Sequence, residues 1–351
     1  MALNPLQTKA ARPRAHFVAG LRAKLSSAGP RRVTHIERHL ILGYRPGWQS
    51  LEDLNAIARH VADIDPTIRT FIVPTSHRNP VTRKHAAGHP TFVFSPGRMT
   101  VFKPLRGKVY QGGPIPKVEQ VRRLEKAGVP TPRTELLTPE LRLDPEVWGE
   151  FVIVKPTDLV TSSHGLGIQL MRTGRVRYIQ PQDYPRGHPG RLGPMMVQHF
   201  VNTGARLTTY RVLTLFGEPL YTQLNVGGAQ AVDLGAADSV IESTNVALQA
   251  AHAREGRLVH DADVIALARA AHDALPEIPL KGCDILRDTA AGKLYVIEMN
   301  TGGNTWHFSS MFSQTLRGVY GPQYELRRRR QFDAMRTAAR VLVEKTNTEA
   351  V

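Results

Sequence analysis

The chain has 351 residues, 41% hydrophobic and 22% charged, with a formal net charge of +16 at neutral pH. That length exceeds what a single core usually serves, so two or three packed units are expected. No apolar run approaches the roughly 20 residues of a membrane-spanning helix, and the lone Cys283 excludes a disulfide framework or multi-cysteine zinc site.

A soluble protein of a reducing, cytoplasmic compartment is the reading that fits, with no membrane partner. The positive field attracts phosphates, nucleotides or other anions without choosing among them. The first 36 residues carry Lys9, Arg12, Arg14, Arg22, Lys24, Arg31 and Arg32 and no acid. They read as a basic arm, with a targeting segment the alternative.

Residues 39–44, 51–64, 70–74 and 91–96 read as strand, helix, strand and strand. The Gly- and Lys-containing stretch from Met99 to Pro116 looks like a hinge, with a boundary near Ile115. Val118, Val121, Leu124 and Ala127 then repeat at helical spacing and stop at Gly128, which predicts a helix from about Pro116 to Ala127.

FVIVKP (151–156) is a buried strand, followed by a Ser/Gly loop, a strand at 167–172 and another at 195–201. The pair around Gly217 and Glu218 predicts a long β-hairpin. Residues 261–275 form an amphipathic helix, and GCDIL with LYVIEMN makes a last hairpin. The C-terminal LRRRRQFDAMRTAARVLVE reads as a single helix, with Leu326, Phe332, Met335, Ala339 and Leu342 near one face. Arg327 to Arg330 stand mostly on the other, as a solvated face or as a lip of a site. No aromatics interleave that run, which disfavours nucleic acid as a partner.

If the last hairpin turns near Ala291, Asp284 lies opposite Glu298 and Asn300 joins them. Ile285, Tyr295, Ile297 and Met299 then point to the other face. Two carboxylates side by side repel unless a cation intervenes, and oxygen donors without His or Cys suit Mg²⁺ or Mn²⁺. Pairing of both acids with Lys or Arg on neighbouring strands is the alternative. Lys155 precedes a loop, 157–167, with Ser162, Ser163, Gly165 and Gly167 that could aim N–H groups at phosphates; an ordinary hairpin loop competes. Arg211, inside a strand, requires an anion: Asp284, Glu298, a phosphate or an acyl phosphate.

Taken in order, K-x6-L-x3-G-V-P-T-P from Lys117, FVIVKP with its Ser/Gly loop, MMVQHFV, YRVLTLFGEPLY, GCDIL and YVIEMN resemble the ATP-grasp superfamily. The likeness is to the branch of the ribosomal-protein glutamate ligase and glutathione-synthetase-like enzymes. It covers roughly Lys117 to Ser310 and implies an α/β (α+β) fold: two ATP-grasp subdomains, 116–201 with a lid loop and 202–320 with the metal site. These follow the arm, 1–36, and a small N-terminal α/β domain, 37–115, and precede a C-terminal helix, 321–351.

The resemblance implies ATP and Mg²⁺ (or Mn²⁺) as cofactors. Lys117 and Lys155 would contact the phosphates, and Ser162, Ser163, His164, Gly165 and Gly167 would close over them. Gln198, His199, Phe200 and Val201 would read the adenine edge. Asp284, Glu298 and Asn300 would hold the metal, and Arg211 with Lys155 would carry the chemistry. The implied activity is carboxylate–amine ligation through an acyl phosphate; a phosphotransferase on an anionic acceptor and a noncatalytic nucleotide binder are the rivals.

The chain departs from the family pattern at four places. Thr209 stands where an acid is usual, Asn202 and Thr203 replace a ribose-binding Glu, the returning strand lacks its basic residue near Asn225, and TGGNTWHFSS follows Asn300. Thr301 to His307 are expected to shape an acceptor pocket, with a structural loop the alternative.

Overall fold

The first apolar runs pair side by side. In the computed structural model, which describes residues 36–157, 166–244, 253–306, 308–309 and 313–351, β1 (Arg38–Tyr44), β2 (Ile68–Pro74), β3 (Thr91–Ser95) and β4 (Lys108–Gln111) form a parallel sheet, ordered β2-β1-β3-β4. Parallel sheets are covered on both faces and read as continuous apolar runs. Accordingly Leu40 and Leu42 enter one core while Ile41 enters another. Helix α1 (Leu51–Ile64) starts where the Ser50 side chain accepts the Glu52 N–H, and it buries Leu54, Ile57 and Val61 on that sheet. A short α2 (Pro80–Ala86) follows.

The stretch expected to be a hinge contains β4. Its two leading residues are exposed at the sheet edge, so no alternation marked it as a strand. Gly112 beyond it has no room for a side chain: a Cβ there would lie 2.1 Å from the Pro96 carbonyl oxygen and 2.7 Å from that of Thr301.

Helix α3 (Lys117–Lys126) ends as expected, with Gly128 at φ 71°. A second, antiparallel sheet follows, ordered β5-β8-β6-β7, from β5 (Thr134–Leu136), β6 (Phe151–Pro156), β7 (Gln169–Arg172) and β8 (Met195–His199). The one-turn α4 (Pro145–Trp148) seats Trp148 beneath it.

The third sheet carries the two expected hairpins, β9 (Arg206–Leu215) with β10 (Glu218–Gln230) and β12 (Leu280–Arg287) with β13 (Leu294–Asn300). Together with β11 (Ala253–Leu258) they are antiparallel in the order β11-β10-β9-β12-β13. Between them lie α5 (Asp238–Ser243) and α6 (Ala262–Asp273). Val264, Ala268 and Ala271 of α6 pack on Val212, Cys283, Ile285, Val296 and Met299. One face of this sheet is thereby closed, which leaves its polar residues for the other.

The arginine-rich segment is not one helix. After α7 (Ser313–Tyr320), α8 (Tyr324–Gln331) stops at Phe332, and Asp333, at φ 46°, redirects the chain into α9 (Ala334–Glu349). Met335, Ala339 and Leu342 are buried as expected, but Leu326 is 40% exposed. Helix α9 lies on α1, β1 and β3, so residues 334–343 share a core with the first sheet and with Leu213, Leu215 and Tyr221 of the third. Among the described residues no helix is long and apolar enough to cross a membrane.

Candidate active site

Directly paired strand residues share a face. In the third sheet Gln223 pairs with Arg211, Arg211 with Asp284, and Asp284 with Glu298. These four side chains make one row across β10, β9, β12 and β13. They line a cavity of about 420 Å³ whose opposite wall carries Ile153, Lys155 and Gln198 from the second sheet.

The register that placed Asp284 opposite Glu298 is present, but it slips by one just beyond. Ile285 pairs with Val296, so Ile297 is an extra residue, a β-bulge. The bulge corrects the expected facing: Val296 takes the core position, and Ile297 lines the cavity beside Glu298. Tyr295 stands opposite Leu286, another cavity residue.

Each acid meets a base. Arg211 donates to both oxygens of Asp284, Nε to Oδ1 at 2.5 Å and Nη2 to Oδ2 at 2.8 Å. Glycine at 282 lets the guanidinium lie flat, since a Cβ there would sit 3.2 Å from Arg211 Nη1. Asn300 donates from Nδ2 to Asp284 Oδ2 at 2.9 Å. Glu298 Oε1 stands 3.4 Å from Nζ of Lys117, the buried first residue of α3. Burial pushes the Asp284 carboxyl above its ordinary range and nearby Glu298 adds to this, while Arg211 pulls the other way. For Arg211 burial opposes the charge, but Asp284 outweighs it and the guanidinium is held above its usual value.

Lys155 is 7% exposed at the end of β6, and its Nζ donates to Gln198 Oε1 at 2.7 Å. Burial first, and then Lys117, lower its pKa to about 7 against the attraction of Glu298. Gln198 passes the contact on, from Nε2 to Thr134 Oγ1 at 2.9 Å. The amides of His199 and Phe200 bond to the Arg133 and Phe151 carbonyls, whereas no partner among the described residues takes the Val201 amide. His199 Nδ1 is 2.7 Å from the Trp148 carbonyl oxygen, which orients that ring.

Lys117, Lys155, Gln198, His199, Phe200, Val201, Arg211, Asp284 and Glu298 thus line one cavity, and Asn300 reaches it through Asp284. Gly167 adjoins the lining residue Ile168 at φ 70°. Ser162, Ser163, His164 and Gly165 lie outside the described residues.

The described part of the loop after Asn300 follows the structural alternative and not the acceptor pocket. None of residues 301–306 lines the cavity. Thr301 Oγ1 donates to the Gly113 carbonyl, and the Trp306 indole donates to buried Asp53, so this part braces β13 against α1. His307 is outside the described residues.

What the sequence reading missed is the far wall, where Leu316, Tyr320, Tyr324 and Arg328 line the cavity from α7 and α8. Leu316 and Tyr320 stand one turn apart on α7, and Tyr324 and Arg328 one turn apart on α8, with the break at Gly321 between the pairs. Of the four arginines expected on a solvated face or a site lip, Arg328 is 2% exposed and Arg329 pairs with Asp53 at 2.6 Å.

No family model and no curated protein matches the sequence. Solved structures of similar fold do exist. Those neighbours are ATP-grasp ligases. D-cycloserine synthetase DcsG is 15% identical with a TM-score of 0.45, covering 88% of this chain and 99% of that one. The ATP-grasp ligase PsnB, complexed with minimal precursor, Mg and ADP, is 13% identical with a TM-score of 0.47, covering 88% and 97%. A D-alanine–D-alanine ligase from Bacillus anthracis is 12% identical with a TM-score of 0.42, covering 88% and 99%. The site rests on the geometry above.

Proposed function

We propose that this chain is an ATP-grasp enzyme that binds ATP between its second and third sheets and uses it to activate a carboxylate as an acyl phosphate for attack by an amine. The observation that carries this reading is the convergence of Arg211, Asp284 and Glu298 on one sheet with Lys155 on the facing one. They meet around a cavity of about 420 Å³, within the size range usual for ligand sites.

The donor set fits Mg²⁺. Asp284 and Glu298 offer carboxylate oxygens, and Asn300, whose Nδ2 is occupied by Asp284, keeps its Oδ1 for a cation. Few protein oxygens suit an ion that keeps water and phosphate in its shell, and when bound it would supply charge neutralisation on the phosphates.

The side chains divide the work. Ile153, Ile297 and Leu286 give an apolar seat for a base, and the Val201 amide is free to donate to its edge. Lys155, neutral in part near pH 7, regains its full charge when phosphate enters, because an anion favours its protonated form. Lys117 and Arg211 offset the charge that develops during phosphoryl transfer, so positioning and electrostatics carry catalysis without a protein nucleophile.

The test is ADP and phosphate release from the full chain with MgATP and a panel of amino acids and dipeptides. Release that needs a carboxylate and an amine together supports ligation. Release with a single hydroxyl acceptor would make the chain a phosphotransferase, and ATP binding without turnover a binding protein.

A further inference from the structure

Arg328 is a buried cation, 2% exposed, and among the described residues no carboxylate stands within 4 Å of it. Its Nε and Nη2 donate to Gln223 Oε1 at 3.0 and 2.6 Å, and Nη2 also meets the Tyr324 hydroxyl. Nη1 is buried and, among the described residues, makes no hydrogen bond. The guanidinium lies 3.9 Å from the Tyr324 ring centre and 4.3 Å from that of Tyr221. Such contacts soften a buried charge without cancelling it.

The place of this charge is informative. Gln223 is the last member of the row that runs through Arg211 and Asp284 to Glu298, so Arg328 caps that row at the end away from Lys117. At about 4.8 Å per strand, Gln223 and Glu298 are separated by roughly 14 Å. That span is too long for one phosphate to bridge and is suited to a second ligand. Tyr320 stacks on Tyr324 at 4.5 Å, and with Leu316 they continue the wall.

Resting on the nucleotide reading above, we infer that Arg328, whose charge lines the cavity without a described acid, anchors a carboxylate of the non-nucleotide substrate, with Tyr320, Tyr324 and Leu316 flanking the rest of that molecule. One guanidinium suits a singly charged acid. A phosphate dianion would call for further cations, and the nearest in the row, Arg211, already serves Asp284 and, on the nucleotide reading, the phosphates of ATP. The charge thus sits on a helix beyond the sheet, while the returning strand itself offers only Gln223 and Asn225.

The test uses the full chain and defined probes. Benzoate, phenylacetate and glutarate, each beside its amide, are titrated with and without saturating MgADP, following melting temperature and heat of binding. Wild type should bind the acids at least about tenfold more tightly than the amides, the effect of one charge-assisted hydrogen bond. Arg328→Met should lose that preference with MgADP affinity within about twofold of wild type, and Arg328→Lys should keep part of it.

If the variants do not fold, the acid-against-amide comparison in wild type decides alone. Equal binding of acid and amide, an unchanged preference in folded Arg328→Met, or no response to any acid in a chain that binds MgADP overturns the inference. Sodium phosphate binding better than the acids at equal ionic strength does so too. Acid binding through Arg328 in a chain that ignores MgADP would sink the nucleotide reading and leave this one standing.

Discussion

Lys155→Met should make the protein more stable and a poorer nucleotide binder, with a gain in stability that shrinks as pH rises. Burial has taken Lys155 from 10.5 to about 7, and at about 1.4 kcal/mol for each pH unit that is about 5 kcal/mol of disfavoured charge. The folded value lies below the unfolded one. Between pH 7 and 10.5 the unfolded chain therefore holds a proton that the folded chain has released, and wild-type stability climbs with pH across that window. Below pH 7 both states are protonated and the full cost is present. Methionine fills similar volume without the charge, so the variant's advantage should be greatest at or below pH 7 and fall by about 2 kcal/mol by pH 9. Urea unfolding of both proteins at pH 6, 7, 8 and 9 measures this. Calorimetry of MgATP binding at pH 8, in buffers of different protonation enthalpy, should find close to one proton taken up by wild type and none by the variant. A stability difference constant from pH 7 to 9 would refute the reasoning, because it would mean that Lys155 titrates as an ordinary lysine.

Glu298→Gln should lower ADP release more than about a hundredfold while the melting temperature moves by only a few degrees, since the side chain is partly exposed; excess Mg²⁺ should not restore the rate. Arg211→Leu strands the buried Asp284 carboxylate and should cost about 3–5 kcal/mol in urea unfolding at pH 8. Part of that loss should return as the pH is lowered, because burial pushes the Asp284 carboxyl above its ordinary range and a proton removes the stranded charge. Gly112→Ala forces a methyl group against the Pro96 and Thr301 carbonyls and should destabilise by about 3 kcal/mol. Asp53→Ala removes the acceptor shared by Trp306 and Ser309 and the ion partner of Arg329, which should cost about 3–5 kcal/mol in the same assay.

The elements that carried a strong period were legible in the chain. The amphipathic pattern of 51–64, the apolar runs of β1 and β6, and the symmetric hairpin that faces Asp284 with Glu298 all stood in the sequence, because periodicity and turn chemistry are local. β4 was not, since a four-residue edge strand exposes its leading residues and owes its place to pairing with β3. The division of the C-terminal arginine segment turned on a single left-handed residue, Asp333, which no composition announces. For Arg327 to Arg330 the sequence leaves a solvated face and a lip of a site open, and Arg328 takes the second because it stands one turn beyond Tyr324 on α8, a phase the arginine run alone does not give. For Arg211 the sequence leaves Asp284, Glu298, a phosphate and an acyl phosphate open, and the geometry pairs it with Asp284.

The bulge in β13 bears on what a ligand meets. An ordinary strand would send Ile297 and Glu298 to opposite faces, so greasy and charged neighbours could never share a wall. With one surplus residue they stand shoulder to shoulder, and the frontier between a dry seat and an ionic one is a single peptide wide. Deleting Ile297 would restore the ordinary alternation, with Val296 still in the core, and would strip the apolar neighbour of Glu298 from the cavity wall.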